Sequence, residues 1–330
     1  MDSPGRRRRR VLVAIGGTLA AARGIAQPRA RPGRVGIAFN GTPGPAAPYL
    51  AAFVQGMGEL GRRVDRDYAI DARYAEGHNE RYPAIMRELL DARVDVIVVG
   101  PNIGVRAAKD ATSTVPIVMA GATDPDATGL VASLARPGGN VTGLASNSVE
   151  LIGKRFQLVR DLVPRGSRVA YLLDPKVPGQ SRLTQGVEAA ARALSFELDL
   201  AEASGAEELD ATLVSIPVRR PDALVVGAAI VLYTHRARIV EFCVRQRLPA
   251  VYAYREPVVD GGLVSYAPNL VETFRKAASF VARILAGAIP ADLPVEQPTR
   301  FELVVNLKAA QGIGLAVPSA LLARADEVIR

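Results

Sequence analysis

From residue 34 onward, short runs of apolar β-branched residues alternate with stretches whose apolar side chains recur at helical spacing. Residues 34–39 (Arg-Val-Gly-Ile-Ala-Phe) read as a buried strand stopped by Asn40-Gly41. A helix fits 46–60, with Leu50, Phe53, Val54, Met57 and Leu60 along one side. Residues 68–74 alternate apolar with polar, as a half-buried strand does, and a second helix fits 79–92. The run 94–100 (Val-Asp-Val-Ile-Val-Val-Gly) is almost continuously apolar, the pattern of a strand covered on both faces in a parallel sheet. A helix at 105–111 and a strand at 116–120 follow. Strands alternating with helices predict a doubly wound α/β sheet.

The plan then repeats. Residues 168–174 echo 34–40, 221–227 echo 93–100, and 248–252 echo 115–119, a strand after a proline each time. The spacing is similar: 66 residues separate Arg34 from Gly100, and 59 separate Arg168 from Gly227. This is duplication of a whole lobe rather than a solenoid repeat. The expected fold class is α/β, with two Rossmann-like lobes, a hinge and a cleft between them. Lobe 1 takes 34–145 plus about 263–290. Lobe 2 takes 146–262, and the tail 291–330 is grouped with it, a placement the sequence leaves open. Residues 141–146 read as an edge strand carrying the chain from the first lobe to the second, and 261–266 as a return crossing. A strongly amphipathic helix at 270–285, a strand near 301–305 and a helical segment from Leu307 to about Gly312 complete the chain.

Charge changes the picture only at the start. The formal net charge is +8, but residues 1–26 hold six of the 41 basic residues and one of the 33 acidic ones. The remainder has 35 against 32, too even for a nucleic-acid footprint. Arg6 to Arg10, the apolar run 11–22 and the small-residue exit before Gln27 describe a secretory signal peptide, with cleavage expected after Ala26. An arginine-rich DNA-binding arm competes for the same arginines, yet it gives the apolar run no purpose. Twelve apolar residues fall short of the ~20 that span a bilayer. Arg8-Arg9-Arg10-Val11-Leu12 also fits a twin-arginine export signal loosely, so the route stays open; the expected location is the periplasm. No cysteine stands near the cleavage site, which argues against a lipid anchor. With one cysteine, Cys243, and two histidines, His78 and His235, neither a disulfide framework nor a Cys- or His-based metal centre is expected.

Four stretches carry a resemblance. They are 133–143 (Ser-Leu-Ala-Arg-Pro-Gly-Gly-Asn-Val-Thr-Gly), 261–266 (Gly-Gly-Leu-Val-Ser-Tyr), 293–308 (Leu-Pro-Val-Glu-Gln-Pro-Thr-Arg-Phe-Glu-Leu-Val-Val-Asn-Leu-Lys) and 318–328 (Pro-Ser-Ala-Leu-Leu-Ala-Arg-Ala-Asp-Glu-Val). Together they resemble the ABC-transporter substrate-binding proteins of the tryptophan/tyrosine type, which have a type 1 periplasmic-binding-protein fold. The resemblance covers essentially all of the chain after the leader. It implies a monomeric receptor without a cofactor, handing a small solute to a permease and its ATPase in the inner membrane. Characterised relatives bind aromatic amino acids. Three departures keep that specificity from being carried over: Gly227 to Val231 stand where relatives often place an acidic residue, Ala267 where glycine is usual, and Pro257 where an aromatic is common.

In open α/β sheets ligands sit beyond the carboxyl ends of the strands, against helix N-termini with unpaired N–H groups. Those positions are Asn40, Thr42, Gly100, Asn102, Thr123 and Asp124 in lobe 1, and Asp174, Gly227, Tyr254 and Glu256 in lobe 2. Ser146 and Asn147 stand at the first crossing and Tyr266 at the return crossing. For an amino-acid ligand, Thr42, Asn102 and Thr123 would hold the carboxylate. Asp124 or Glu256 would pair with the ammonium, and Tyr49 or Tyr254 would stack on a ring. Against this, Asn40, Asp124 and Asp174 are common turn and cap residues, Tyr266 suits a core or hinge equally well, and Arg255 suits a solvated surface.

Rival chemistries fare worse. Residues 138–143 have P-loop glycine spacing, but Leu144-Ala145 replaces the Lys-Ser/Thr that grips phosphate and magnesium. No G-x-S-x-G elbow occurs, and no second histidine follows His78 at metalloprotease spacing, so an enzyme is not expected. His235 reads as a helix-start residue and Cys243 as a packing thiol. A regulator of the same lobed fold needs roughly 60 residues of helix-turn-helix before the first strand, and fewer than 35 are present. A sensor that presents its bound solute to a membrane partner shares every feature of a transport receptor, and stands as the alternative.

Overall fold

The structure is a computed structural model that describes residues 31–330 other than 147, 178, 298 and 299. The expected leader and Asn147 lie outside the described residues. The first lobe runs β1 (Gly33–Phe39), α1 (Pro43–Glu59), β2 (Tyr68–Tyr74), α2 (Tyr82–Asp91), β3 (Val96–Val99), α3 (Asn102–Ala111), β4 (Ile117–Thr123) and β5 (Val141–Ser146). The second runs α4 (Ser148–Leu162), β6 (Arg168–Leu173), α5 (Gln180–Ala193), β7 (Glu197–Glu202), α6 (Ala206–Ser215), β8 (Ala223–Val226), α7 (Ile230–Thr234), α8 (Arg236–Arg245), β9 (Ala250–Tyr252), α9 (Glu256–Val259) and β10 (Val264–Pro268). Then come α10 (Leu270–Leu285), β11 (Phe301–Asn306), α11 (Leu307–Ile313), α12 (Ser319–Leu322) and β12 (Glu327–Ile329).

Two sheets result, in the orders β2-β1-β3-β4-β5 and β12-β11-β10-β9-β8-β6-β7. The duplicated order β2-β1-β3-β4-β5 and β7-β6-β8-β9-β10 is the same in both, and these strands all pair in parallel. Central strands β3 and β8 are fully buried, as their unbroken apolar runs require, and edge strand β2 is half-covered, as its alternation requires. Each sheet has an apolar core on both faces, with Phe53, Met57 and Phe280 on one side of the first and Tyr82, Met86 and Leu89 on the other.

The helix that follows the last duplicated strand of each lobe crosses to the other lobe. After β5 the chain enters α4, whose Ile152, Phe156 and Val159 are buried in the core of the second sheet. After β10 it enters α10, whose Phe274, Ala277, Ala278 and Val281 are buried in the first. Asn269 caps α10 by accepting a hydrogen bond from the Glu272 N–H at 2.8 Å, a contact worth about 1 kcal/mol.

Two sequence expectations need correction. The strand expected to return into lobe 1 at about 263 is β10, which pairs with β9 and β11 inside the second sheet, so the second crossing falls at 268–270. The tail divides. Residues 293–296 lie along the β5 edge: the Thr142 hydroxyl donates to the Leu293 carbonyl at 2.6 Å, and the Ala145 N–H to the Glu296 carbonyl at 2.9 Å. From β11 onward the chain belongs to the second sheet. The chain therefore passes from the first sheet to the second once more between Glu296 and Phe301. Sequence reading missed it because residues 293–296 cover an edge without forming a strand of their own.

Candidate functional site

Because the duplicated strands of each sheet run parallel, the carboxyl ends of β1, β3 and β4 open at one side of lobe 1, and those of β6, β8 and β9 at one side of lobe 2. The lobes touch along those ends. The Tyr49 hydroxyl on α1 donates to Glu256 Oε1 on α9 at 2.6 Å. A methyl group built on Gly77 would lie 3.6 Å from Thr234, and one on Gly179 would lie 3.6 Å from Thr128.

In lobe 1, Asn40 follows β1 and accepts the Gly77 N–H on its carbonyl at 2.7 Å, while its side-chain Oδ1 is buried with no partner among the described residues. Thr42 is the N-cap of α1, but its hydroxyl caps nothing. Pro43 and Pro45 have no N–H, and the Ala46 N–H goes to the Thr42 carbonyl at 3.1 Å. The α1 terminus thus offers one free donor, that of Gly44, and suits a carboxylate poorly. Gly100 and Pro101 lead into α3, whose first residue is Asn102. The Asn102 amide is turned to β4 at both ends: Nδ2 donates to the Thr123 carbonyl and Oδ1 accepts the Thr123 N–H, each at 2.7 Å. It clamps the strand end rather than reaching for a ligand. The Thr123 and Ser146 hydroxyls lie 3.4 Å apart, so β4 and β5 end in a paired hydroxyl site. Asp124 takes a left-handed backbone, φ 43°, donates its N–H to the Ser146 carbonyl at 3.0 Å, and accepts the Thr128 N–H and hydroxyl on its own carbonyl.

In lobe 2, Asp174 is a turn residue, accepting the Lys176 N–H at 2.9 Å and the Ser204 hydroxyl at 3.0 Å. Gly227 and Tyr254 line a small, mostly apolar hollow past the ends of β8 and β9, together with Leu232, Tyr233, Arg236 and Pro257. A Cβ on Gly227 would stand 2.9 Å from the Leu172 carbonyl, so a side chain is excluded at the strand end. Tyr233 and Tyr254 meet edge to face at 5.3 Å. Burial pushes both hydroxyls up to about 12, so they stay protonated donors. Arg236 lies over the Tyr233 ring at 4.8 Å and is paired with Asp260 at 2.7 Å. Arg255 is paired with Glu327 and, at 3.8 Å, with Glu302, so it is not merely solvated. Tyr266 faces away: its ring stacks on Phe301 at 5.7 Å and packs on the core under α4.

Sequence reading missed Tyr233, Arg236 and Arg155. Tyr233 sits in a five-residue helix too short to show a period. Arg155, in the polar stretch Gly153-Lys154-Arg155, looks solvated but is buried, donating Nε to the Tyr266 carbonyl at 3.0 Å and Nη2 to the Ala253 carbonyl at 3.4 Å. Desolvation lowers its pKa from the usual arginine range.

Comparison with known proteins decides what this scaffold is. Residues 49–329 match the model of the ABC transporter substrate binding protein family. The chain belongs to that family. It is a family of solute-binding proteins, not of enzymes. A tyrosine-binding protein of Clostridioides difficile (strain R20291) is 23% identical over 278 residues, covering 83% of this chain and 80% of the relative. The ABC domain from Streptococcus pneumonia solved in complex with L-Trp superposes with a TM-score of 0.82 at 22% identity, covering 90% of this chain and 100% of that one. A conserved domain protein from Vibrio cholerae gives the same values. The two-lobed architecture is that of type 1 periplasmic-binding proteins, as the fold expectation had it.

Proposed function

We propose that this family member captures a small solute, an amino acid or a close relative of one, between its two lobes in the periplasm and delivers it to a membrane permease and ATPase. What supports this reading is that each lobe ends its strands in polar or aromatic groups, and that one hydrogen bond reaches from lobe to lobe on that side. Thr123 and Ser146 come from lobe 1, Gly227, Tyr233 and Tyr254 from lobe 2, and the Tyr49–Glu256 hydrogen bond joins the two sides. Hydroxyls and the α3 N-terminus suit a carboxylate, the tyrosine rings suit an apolar or aromatic body, and the Glu256 carboxylate lies where it meets an ammonium. Arg236 and Arg255 are already paired with carboxylates, which favours a ligand with a single carboxylate over a multiply charged anion. Relatives described as binding tyrosine or holding L-Trp support trying aromatic amino acids first. We take the working unit to be the monomer.

The test is a thermal-shift panel on protein beginning at Gln27, covering the common amino acids, dicarboxylates and sugars. At least one amino acid raises Tm by several degrees, because ligand at about 100 times its Kd adds roughly 2.7 kcal/mol. A panel in which sugars or dicarboxylates alone shift Tm overturns the assignment of ligand class.

A further inference from the structure

We propose that Tyr49 and Glu256 form a latch that holds the two lobes closed before any solute arrives. This rests on the reading of the chain as a two-lobed clasp. The bond is short, 2.6 Å, from a phenol to a carboxylate oxygen, and hydrogen bonds to ionised acceptors are the stronger class. Among the described residues it is the hydrogen bond that links α1 to α9; at Gly77–Thr234 and Gly179–Thr128 the lobes come close enough that a Cβ added to either glycine would be in van der Waals contact.

Each partner is anchored to the body of its lobe. The Tyr49 ring stacks on Phe274 at 5.5 Å, Phe274 on Phe39 at 5.4 Å, and Phe39 on Tyr74 at 5.5 Å. This four-ring column joins α1 to α10, β1 and β2. Glu256 opens α9, and the preceding residue, Arg255, is tied to Glu327 on β12 and Glu302 on β11. The Tyr49 ring is already held by the column, so the tyrosine loses little freedom when the bond forms. Burial, followed by the charge of Glu256, raises the Tyr49 pKa, which keeps the hydroxyl a donor. A receptor latched this way is pre-organised: the solute supplies less of the free energy of closure.

Small-angle scattering on solute-free protein tests the latch. Bound solute is first removed by unfolding and refolding. Tyr49→Phe removes the hydroxyl and keeps the ring column; Glu256→Ala removes the acceptor. Each lowers the closed-to-open ratio about ten-fold or more, read as a larger radius of gyration at unchanged secondary structure. The double variant expands no further than either single one, because both remove the same bond. Thr234→Trp, a wedge at a different lobe contact, expands the protein whether or not the latch exists. If the wedge expands and both latch variants keep the wild-type radius, the latch is overturned and the clasp stands. If the wedge also leaves the radius unchanged, the clasp itself is overturned.

Discussion

Arg155 shows how far a single side chain can depart from its sequence appearance. It is buried in α4 and donates to the carbonyls of Tyr266, within β10, and Ala253, just past the end of β9. It thus fixes the helix that follows the first crossing to the strands that precede the second. Arg155→Met keeps most of the volume but leaves two buried carbonyls unpaired, which costs about 2–3 kcal/mol. Urea denaturation measures this, and a change within experimental scatter would show that the guanidinium adds nothing to the junction. Of the candidate site residues, those at strand ends were legible because a parallel sheet fixes where its carboxyl ends point. Their roles were not. Asn102 and Asp174 satisfy backbone and hydroxyl groups of their own lobes. Tyr49 became part of the seam only through a partner 207 positions away, a distance no local pattern can report.

At the scale of elements, periodicity served well wherever one face of a helix or both faces of a strand are buried. Helix α10 and strands β3 and β8 fall where the pattern puts them. It failed for α7 and α9, which have five and four residues and no complete period to read. Glycines mark close approaches that the pattern cannot locate. A Cβ on Gly143, where φ is +124°, would lie 2.4 Å from the Met119 carbonyl. In the sequence that residue stands in an expected edge strand and in a phosphate-loop look-alike, whereas its reason is backbone packing between β4 and β5. Gly56 plays the same part between helices. A Cβ there would stand 2.2 Å from the Arg275 carbonyl and 2.9 Å from Ala278 Cβ. Gly56→Ala therefore forces α1 from α10 and costs about 2–3 kcal/mol. A denaturation midpoint equal to that of the wild type would mean that the two helices are not in close contact.

The whole molecule is governed by reciprocity. Each lobe completes its core with a helix reached through the other lobe's last duplicated strand, α4 under the second sheet and α10 under the first. The chain thus passes between the lobes three times: between β5 and α4, between β10 and α10, and between Glu296 and β11. The duplication was visible in the sequence because both copies repeat the same buried strands. The exchange of helices was not, since α4 and α10 look like ordinary amphipathic segments whose partner sheet only the tertiary structure reveals. The proposed function asks these two lobes to move by hinge rotation and to hold a small zwitterion between their strand ends. A crystal structure grown with the strongest ligand of the thermal-shift panel tests this most directly. One solute molecule is expected there, contacting Thr123 or Ser146 on one side and Tyr233 or Tyr254 on the other. A solute bound to a single lobe, away from the seam, would contradict it.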